Sequence, residues 1–156
     1  MPKNSVRTLH ATSLHIYKMN TISETFNKSE RLCSRKIITS LFENGYIFYN
    51  SLFKVVWDKE QNSIPGPAQV AFSVSKRGFR LAVTRNLIKR RLREAYRKNK
   101  ITLYNHLNSE NIQLVFVVIL RGNSIPDYMT IEKGIREVIN KLIMLTSQKT
   151  EDGIQK

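Results

Sequence analysis

The chain has 156 residues, of which 26 are lysine or arginine and 12 are aspartate or glutamate, so its formal net charge at pH 7 is +14. So large a positive charge is unusual among soluble enzymes that act on small molecules and is typical of proteins that bind nucleic acids. A chain of this length can bury one core of modest size but not a second domain. A single cysteine, Cys33, excludes an internal disulfide, and the three histidines lack the spacing of a metal site.

The two ends of the chain differ in composition from its middle. Residues 1–25 show no sustained apolar period and are predicted to be disordered, or to be a mis-assigned extension if translation begins at Met19. Residues 148–156 are predicted to be a polar tail, which leaves one domain at 26–147. The longest apolar run, Leu114–Leu120, is too short to cross a bilayer. Since no secretory signal is recognisable either, a cytoplasmic protein is expected.

The first predicted elements are a helix followed by strands. Apolar residues recur at helical spacing from Ser29 to Asn44, and Gly45 can end that helix. Aromatic and β-branched residues from Tyr46 to Trp57 predict one long strand, interrupted at a turn-prone Asn-Ser pair. The Pro, Gly, Asn and Ser content of Asp58–Pro67 predicts a loop. The next strand is predicted at Ala68–Val74.

A basic helix is predicted at Thr84–Lys98, after a cationic turn at Ser75–Gly78 and a third, short strand at Phe79–Val83. At about 100° per residue, one sector of this helix collects Arg85, Lys89, Arg93, Asn86, Arg97 and Arg90. An apolar stripe for docking onto a core is formed by Ile88, Leu92, Ala95 and Tyr96. Glu94 is the only acidic residue of the helix. The counter-charge is therefore expected from the phosphates of a polyanion; the alternative is a solvated run of charges.

The remaining chain supplies one more strand and one more helix. Ile101–Asn111 is predicted as a loosely helical or coil connection. Ile112–Leu120 is nearly all apolar, as in a central strand. Thr130–Ser147 carries apolar residues on one helical face. The predicted order is αβββαβα, an α+β fold with helices packed on a small sheet.

Catalytic motifs are missing from the sequence. The acidic residues are scattered rather than clustered for two-metal phosphodiester cleavage. There is no glycine-rich phosphate loop and no histidine pair suited to general acid and base catalysis. If the protein takes part in catalysis, another molecule is expected to supply the reacting groups.

The basic region closely resembles the signature of the bacterial ribonuclease P protein subunit. The resemblance is carried by Ser73 to Arg77 and by Ala82 to Arg97. Lys28 to Leu32, with Leu41-Phe42 and Gly45, is similar to the opening helix of that family, so the similarity runs from about Phe26 to Ile143. It implies an αβββαβα fold with a four-stranded sheet, of the kind also seen in a domain of a ribosomal protein.

The resemblance also implies a function. A protein of this family binds a large catalytic RNA and helps it to remove the 5′ leader of precursor tRNA. Mg2+ is expected at an RNA-based active site, and no cofactor is expected on the protein. The implied partners are the catalytic RNA and precursor tRNA, with no membrane and no obligate protein partner. No catalytic residue is expected in the chain itself.

Individual residues follow from the resemblance and from the helical wheel. The predicted RNA-binding residues are Arg85, Asn86, Lys89, Arg90 and Arg93 in the motif, Lys76 and Arg77 in the basic turn, and Arg97 and Arg31 beside them. Phe42 matches an aromatic of the leader-binding cleft, and Lys36 is assigned to the cleft with it; the alternative for Phe42 is a core position. The sequence departs from the family pattern at Leu87, at Ile38 and at Gly78–Leu81.

Three other classes of protein remain as alternatives. A structural or ribosomal RNA-binding protein would have the same charge and size. A helix-turn-helix DNA-binding protein would need a helix a few residues before the basic helix, where Ala68–Val83 is strand-like instead. A nuclease with its own active site is disfavoured by the scattered acidic residues.

Overall fold

The computed structural model describes residues 24–148, so the predictions for residues 1–23 and 149–156 lie outside the described part of the chain. The helices are α1 (Arg35–Asn44), α2 (Ala82–Ser109) and α3 (Tyr128–Ser147), and the strands are β1 (Tyr46–Tyr49), β2 (Phe53–Lys59), β3 (Ala68–Ser73) and β4 (Leu114–Leu120). A single 3-10 turn at Lys28–Glu30 precedes α1. The α+β class and the predicted order αβββαβα are confirmed. No helix within residues 24–148 is long and apolar enough to cross a membrane.

The four strands form one mixed sheet in the order β1-β2-β4-β3. The pairs β1·β2 and β2·β4 are antiparallel, and β3 runs parallel to β4. One face of the sheet packs against α2 and α3 to form the main core, with Phe53, Val55 and Phe116 fully buried there. The other face, called the α1 face below, consists of Ile47, Tyr49, Lys54, Val56, Asp58, Gln69, Ala71, Ser73, Val115, Val117 and Ile119.

The predicted long strand is in fact a hairpin of β1 and β2. Asn50 forms the turn: its side-chain oxygen accepts hydrogen bonds from the backbone N–H groups of Leu52 at 3.0 Å and Phe53 at 2.6 Å. Its side-chain nitrogen donates to the carbonyl oxygen of Gly134 in α3 at 3.1 Å. Because an asparagine side chain can bond the backbone two residues on, it turns the chain where the aromatic pattern alone predicts continuation.

The prediction of a short strand at Phe79–Val83 is wrong. Phe79 closes a turn by donating its backbone N–H to the carbonyl oxygen of Ser75 at 3.0 Å, and its side chain is buried in the main core. Leu81 is the N-cap of α2, which begins at Ala82. The three strands before the basic helix are therefore the two hairpin strands and β3, so the predicted order is right although two of its elements were misassigned.

Two helices differ in length from the prediction. The helix predicted from Ser29 starts only at Arg35, where the side chain of Ser34 caps it; before it, Leu32 donates its backbone N–H to the carbonyl oxygen of Val70 in edge strand β3 at 3.0 Å. The basic helix continues without a break through the predicted connection to Ser109. The reason is packing, because Leu103, Tyr104 and Leu107 bury their side chains in the main core.

A buried polar cluster fixes the segment before α1 against α2. Lys100 is a buried residue, 1% exposed, and its ammonium group pairs with the carboxylate of Glu30, a residue that is 7% exposed. Lys100 also donates to the carbonyl oxygen of Thr25, and the hydroxyl group of Tyr104 donates to Glu30 at 2.7 Å. Burial is the main cause that raises the pKa of Tyr104, so its hydroxyl stays protonated and acts as the donor. The cluster places the chain around Arg31 beside the middle of the basic helix.

Candidate nucleic-acid interface

Three cations of α2 have no partner among residues 24–148 and lie outside the buried stripe of the helix. Ile88 and Leu92 are fully buried, which orients the helix. Arg90 and Arg93 are exposed and Lys89 is half-buried. Across the part of the chain that the structure describes, no hydrogen bond or ion pair engages the side chains of these three residues. Their positive charges are therefore available to a ligand.

Arg85 lies near the start of the same helix and also forms hydrogen bonds to the loop that precedes it. Its Nη1 atom donates to the carbonyl oxygens of Phe79 and Arg80, both at 2.7 Å. These bonds hold the loop before α2 against the first turn of the helix. Only one of its guanidinium nitrogens is used in this way, so further N–H groups remain for a phosphate. Asn86, its neighbour, is exposed.

Arg97 differs from the other predicted RNA-binding residues, because all three of its guanidinium nitrogens have protein partners. Nε and Nη2 donate to the carboxylate of Glu94 at 2.9 and 2.7 Å, and Nη1 donates to the carbonyl oxygen of Glu24 at 3.0 Å. The hydrogen bond from Arg97 lowers the pKa of Glu94 below its ordinary value. The argument that the basic residues lack an acidic partner therefore holds for Arg90 and Arg93 but not for Arg97.

The basic turn before α2 is held in shape by Ser75. Its hydroxyl oxygen accepts from the backbone N–H of Arg77 at 3.2 Å and from that of Gly78 at 3.5 Å. Lys76 and Arg77 are both exposed. A Cβ atom at position 78 would lie 3.0 Å from the carbonyl oxygen of Gly122, so the turn packs closely against the loop that follows β4.

Arg31 is exposed and stacks on an aromatic cluster at the edge of the sheet. Its guanidinium carbon lies 5.6 Å from the ring centroid of Phe26. Phe26 in turn meets the ring of Tyr96 edge-on, with centroids 5.7 Å apart. Tyr96 belongs to the buried stripe of α2, and burial raises its pKa. Phe26 thus links Arg31 to the basic helix, and RNA binding by Arg31 stays a prediction.

The two residues predicted for the leader cleft are not brought together. Phe42 is 50% exposed, which excludes the alternative that it is a core residue. Lys36 lines a groove of about 410 Å³ between α1 and the chain that follows β2, whereas Phe42 does not. The groove also contains Asp58 and Glu60, so it is not uniformly cationic. Burial is the main cause that raises the pKa of Asp58.

Two exposed residues near the β1–β2 hairpin, Tyr49 and Arg121, were missed at the level of sequence. The guanidinium carbon of Arg121 lies 5.3 Å from the ring centroid of Tyr49. They lie 72 positions apart in the chain, and only the pairing of β2 with both β1 and β4 brings them together. The sequence of the hairpin does predict one feature. Tyr46 and Tyr49 are three residues apart, and side chains at an odd spacing in a strand point to opposite faces, so one tyrosine ring is expected on each face of the sheet.

The described residues include no carboxylate site for a metal. Within residues 24–148, no group of three or more histidine, cysteine, aspartate or glutamate side chains is arranged to hold a metal ion.

Comparison with known proteins identifies the family. The family model described as Ribonuclease P matches residues 26–143. The chain belongs to this family. It is 32% identical over 116 residues to the ribonuclease P protein component of Porphyromonas gingivalis, a match that covers 74% of this chain and 85% of that protein. With the corresponding protein of Chlorobium phaeobacteroides it shares 27% identity over 128 residues, covering 76% of this chain and 88% of the relative.

Solved structures of the family have the same fold. The ribonuclease P protein from Thermotoga maritima superposes with a TM-score of 0.58 at 23% identity, covering 72% of this chain and 96% of that one. The protein from Staphylococcus aureus gives a TM-score of 0.55 at 21% identity, covering 74% and 95%. The matched region coincides with the predicted similarity from Phe26 to Ile143.

Proposed function

We propose that the chain is the protein component of a ribonuclease P, which binds the catalytic RNA and assists removal of the 5′ leader from precursor tRNA. The observation that carries this proposal is the row of cations Lys89, Arg90 and Arg93, which have no partner in the described part of the chain and lie on the helix that bears the family motif. Phosphates of a folded RNA can neutralise them, and each neutralised phosphate releases condensed counterions. Lys76, Arg77, Arg85, Asn86 and Arg31 extend the same surface.

The contribution of the protein is electrostatic and positional. The buried stripe of α2 fixes the helix on the core, and the bonds from Arg85 fix the loop that precedes it. The exposed ring of Phe42 offers a stacking surface for an unpaired leader base, which is worth about 1 to 3 kcal/mol per base. The protein would thus hold the leader in a defined position relative to the RNA.

Mg2+ is expected at the RNA-based active site of the complex. Among residues 24–148 the donor set does not fit such an ion, since no carboxylate cluster is present. A divalent ion supplies an activated water and stabilises the leaving oxygen in phosphodiester hydrolysis. We assign its ligands to RNA and substrate, and the chain to binding.

Reconstitution tests the proposed function. Cleavage of a 5′-extended precursor tRNA at near-physiological Mg2+ should be measured with the protein alone, with the candidate catalytic RNA alone, and with the two mixed. We expect efficient leader removal only in the mixture, because the protein carries the charges and the RNA the reacting centre. Cleavage by the protein alone would reveal an active site of its own. A mixture no faster than the RNA alone would favour a structural RNA-binding protein without a role in tRNA processing.

The leader contact can be tested at Phe42. Phe42→Ala should weaken binding of the assembled enzyme to precursor tRNA by about 5- to 150-fold, the loss of one stacked base, while affinity for mature tRNA stays unchanged. Phe42→Tyr keeps the ring and should retain leader binding. Because Phe42 is half exposed, neither change removes a core residue. Equal losses for precursor and mature tRNA would exclude a leader contact.

A further inference from the structure

Glu94 divides the lysines and arginines of α2 into two groups that differ in their partners. The group before it consists of Arg85, Lys89, Arg90, Arg91 and Arg93. Within residues 24–148, no ion pair joins any member of this group to a carboxylate. The group after it consists of Arg97, Lys98 and Lys100. Each of these three forms an ion pair, the first two with Glu94 itself and the third with Glu30.

The carboxylate of Glu94 holds the guanidinium group of Arg97 in one orientation. Its oxygens accept hydrogen bonds from Nε at 2.9 Å and from Nη2 at 2.7 Å. With these two nitrogens fixed, Nη1 donates to the carbonyl oxygen of Glu24 at 3.0 Å. Arg97 therefore anchors the start of the segment before α1, and Glu94 positions it to do so.

The pair is ionised at neutral pH and is not hidden by burial. The hydrogen bond between the two side chains is the main cause that lowers the pKa of Glu94 and raises the pKa of Arg97. The side chain of Arg97 is 30% exposed, so a ligand could reach it. A phosphate that did so would lie beside the Glu94 carboxylate, and like charges repel each other. The pair thus offers a phosphate little net attraction.

Helical geometry would otherwise extend the cationic surface by one turn. Arg97 lies about 40° around the helix from Arg93, in the same sector. The row from Arg85 to Arg93 covers about 12 Å of the helix at about 1.5 Å per residue, and a row that reached Arg97 would cover about 18 Å. Lys98 lies about 100° further around, where its Nζ atom is 5.3 Å from the ring centroid of Tyr128 in α3. Glu94 therefore withholds one cation of this sector, Arg97.

We propose that Glu94 sets the C-terminal limit of the RNA-binding surface on α2, by keeping Arg97 bound to the protein and away from RNA phosphates. This inference rests on the proposed function and deepens it. The first half of α2 binds RNA, and the second half holds the segment before α1. The surface is separate from the α1 face of the sheet, because α2 packs against the other face.

The salt dependence of RNA binding tests the role of Glu94. Affinity for the catalytic RNA should be measured at several salt concentrations for the unaltered protein and for Glu94→Gln, which removes the charge and keeps the size of the side chain. We expect the variant to bind about 10-fold more tightly at low salt. The slope of log affinity against log salt concentration should become steeper by about 1. The reason is that Arg97 can then neutralise one more phosphate.

Arg97→Ala shows whether the gain comes from Arg97. Added to Glu94→Gln, it should remove the extra slope, whereas in the unaltered chain it should leave the slope unchanged. Such a double-mutant cycle isolates the coupling between the two residues. Circular dichroism checks that every variant keeps the fold. An equal loss of slope from Arg97→Ala with and without Glu94→Gln would mean that RNA already contacts Arg97, and the proposal would be overturned.

Glu132→Gln is the matched control on α3. Glu132 precedes Arg136 by four positions and accepts a bond from its Nη2 atom at 3.2 Å, so the variant removes the same charge from a similar pair. We expect an unchanged slope. The proposal is also overturned if both glutamate variants steepen the slope equally or if Glu94→Gln leaves it unchanged. Failure of the proposed function is a different result, in which the unaltered protein would not stimulate leader removal by the catalytic RNA.

Discussion

Lys100→Ala is expected to lower the free energy of unfolding by about 3 to 5 kcal/mol, the usual cost of removing one partner from a buried ion pair. Glu30 is a buried residue, and its carboxylate would keep the hydroxyl of Tyr104 and the backbone N–H of Asn27 as donors but lose its cation. The carbonyl oxygen of Thr25 would lose the bond from Lys100 as well. Chemical denaturation followed by circular dichroism measures the change.

Lys98→Ala is the control for this prediction. Lys98 lies two residues earlier on α2, is largely exposed, and stands 3.8 Å from the carboxylate of Glu94. Exposed pairs of this kind contribute about 0 to 1 kcal/mol. The double variant Glu30→Leu with Lys100→Met replaces the pair by apolar side chains and should recover part of the lost stability. Recovery is partial because the Tyr104 hydroxyl and the Asn27 backbone N–H lose their acceptor on Glu30. If the Lys100→Ala variant is as stable as the Lys98→Ala variant, the ion pair between Lys100 and Glu30 does not stabilise the segment before α1.

The sequence predicts those parts of the fold in which one local pattern decides the outcome. The stripe at Ile88, Leu92 and Ala95 alone orients α2, and the apolar run of β4 identifies a central strand. The hairpin was missed because the turn depends on bonds from Asn50 to its neighbours and to α3, 84 positions away. The continuation of α2 past Lys98 was missed because burial against α3, rather than local periodicity, stabilises it.

The candidate site, like the fold, was predictable only where a single local pattern determines it. The cationic sector of α2 was predictable, since helical geometry alone gathers Arg90 and Arg93. Arg97 belongs to that sector by angle, but its partners include Glu24, which only tertiary structure brings near. The contact between Tyr49 and Arg121 was not predictable, because the two residues meet only through a sheet in which β2 lies between β1 and β4. A surface formed by one helix can be predicted from the sequence. A surface formed by residues of several strands can be predicted only when the order and register of those strands are known.

The double variant Arg90→Ala with Arg93→Ala should weaken binding to the catalytic RNA by roughly 100-fold at low salt, taking about 1.5 kcal/mol for each charged hydrogen bond to phosphate. The slope of log affinity against log salt concentration should fall by about 2, one for each lost phosphate contact. Both side chains are exposed and have no partners among the described residues, so stability should change by less than about 0.5 kcal/mol each. Titrations at several salt concentrations measure affinity and slope together.

Two control variants distinguish binding of RNA at this face of α2 from binding through the net charge of the protein. Lys133→Ala with Lys141→Ala removes the same two charges from exposed positions of α3 and should leave the slope nearly unchanged. Arg97→Ala removes a guanidinium whose nitrogens are all bonded to protein, so it should loosen the segment at Glu24 rather than reduce the slope. If the α3 variant loses as much slope as the α2 variant, the chain binds RNA by overall charge. A loss specific to Arg90 and Arg93 would instead place phosphates on this face of the helix, because only contacts that release counterions change the slope.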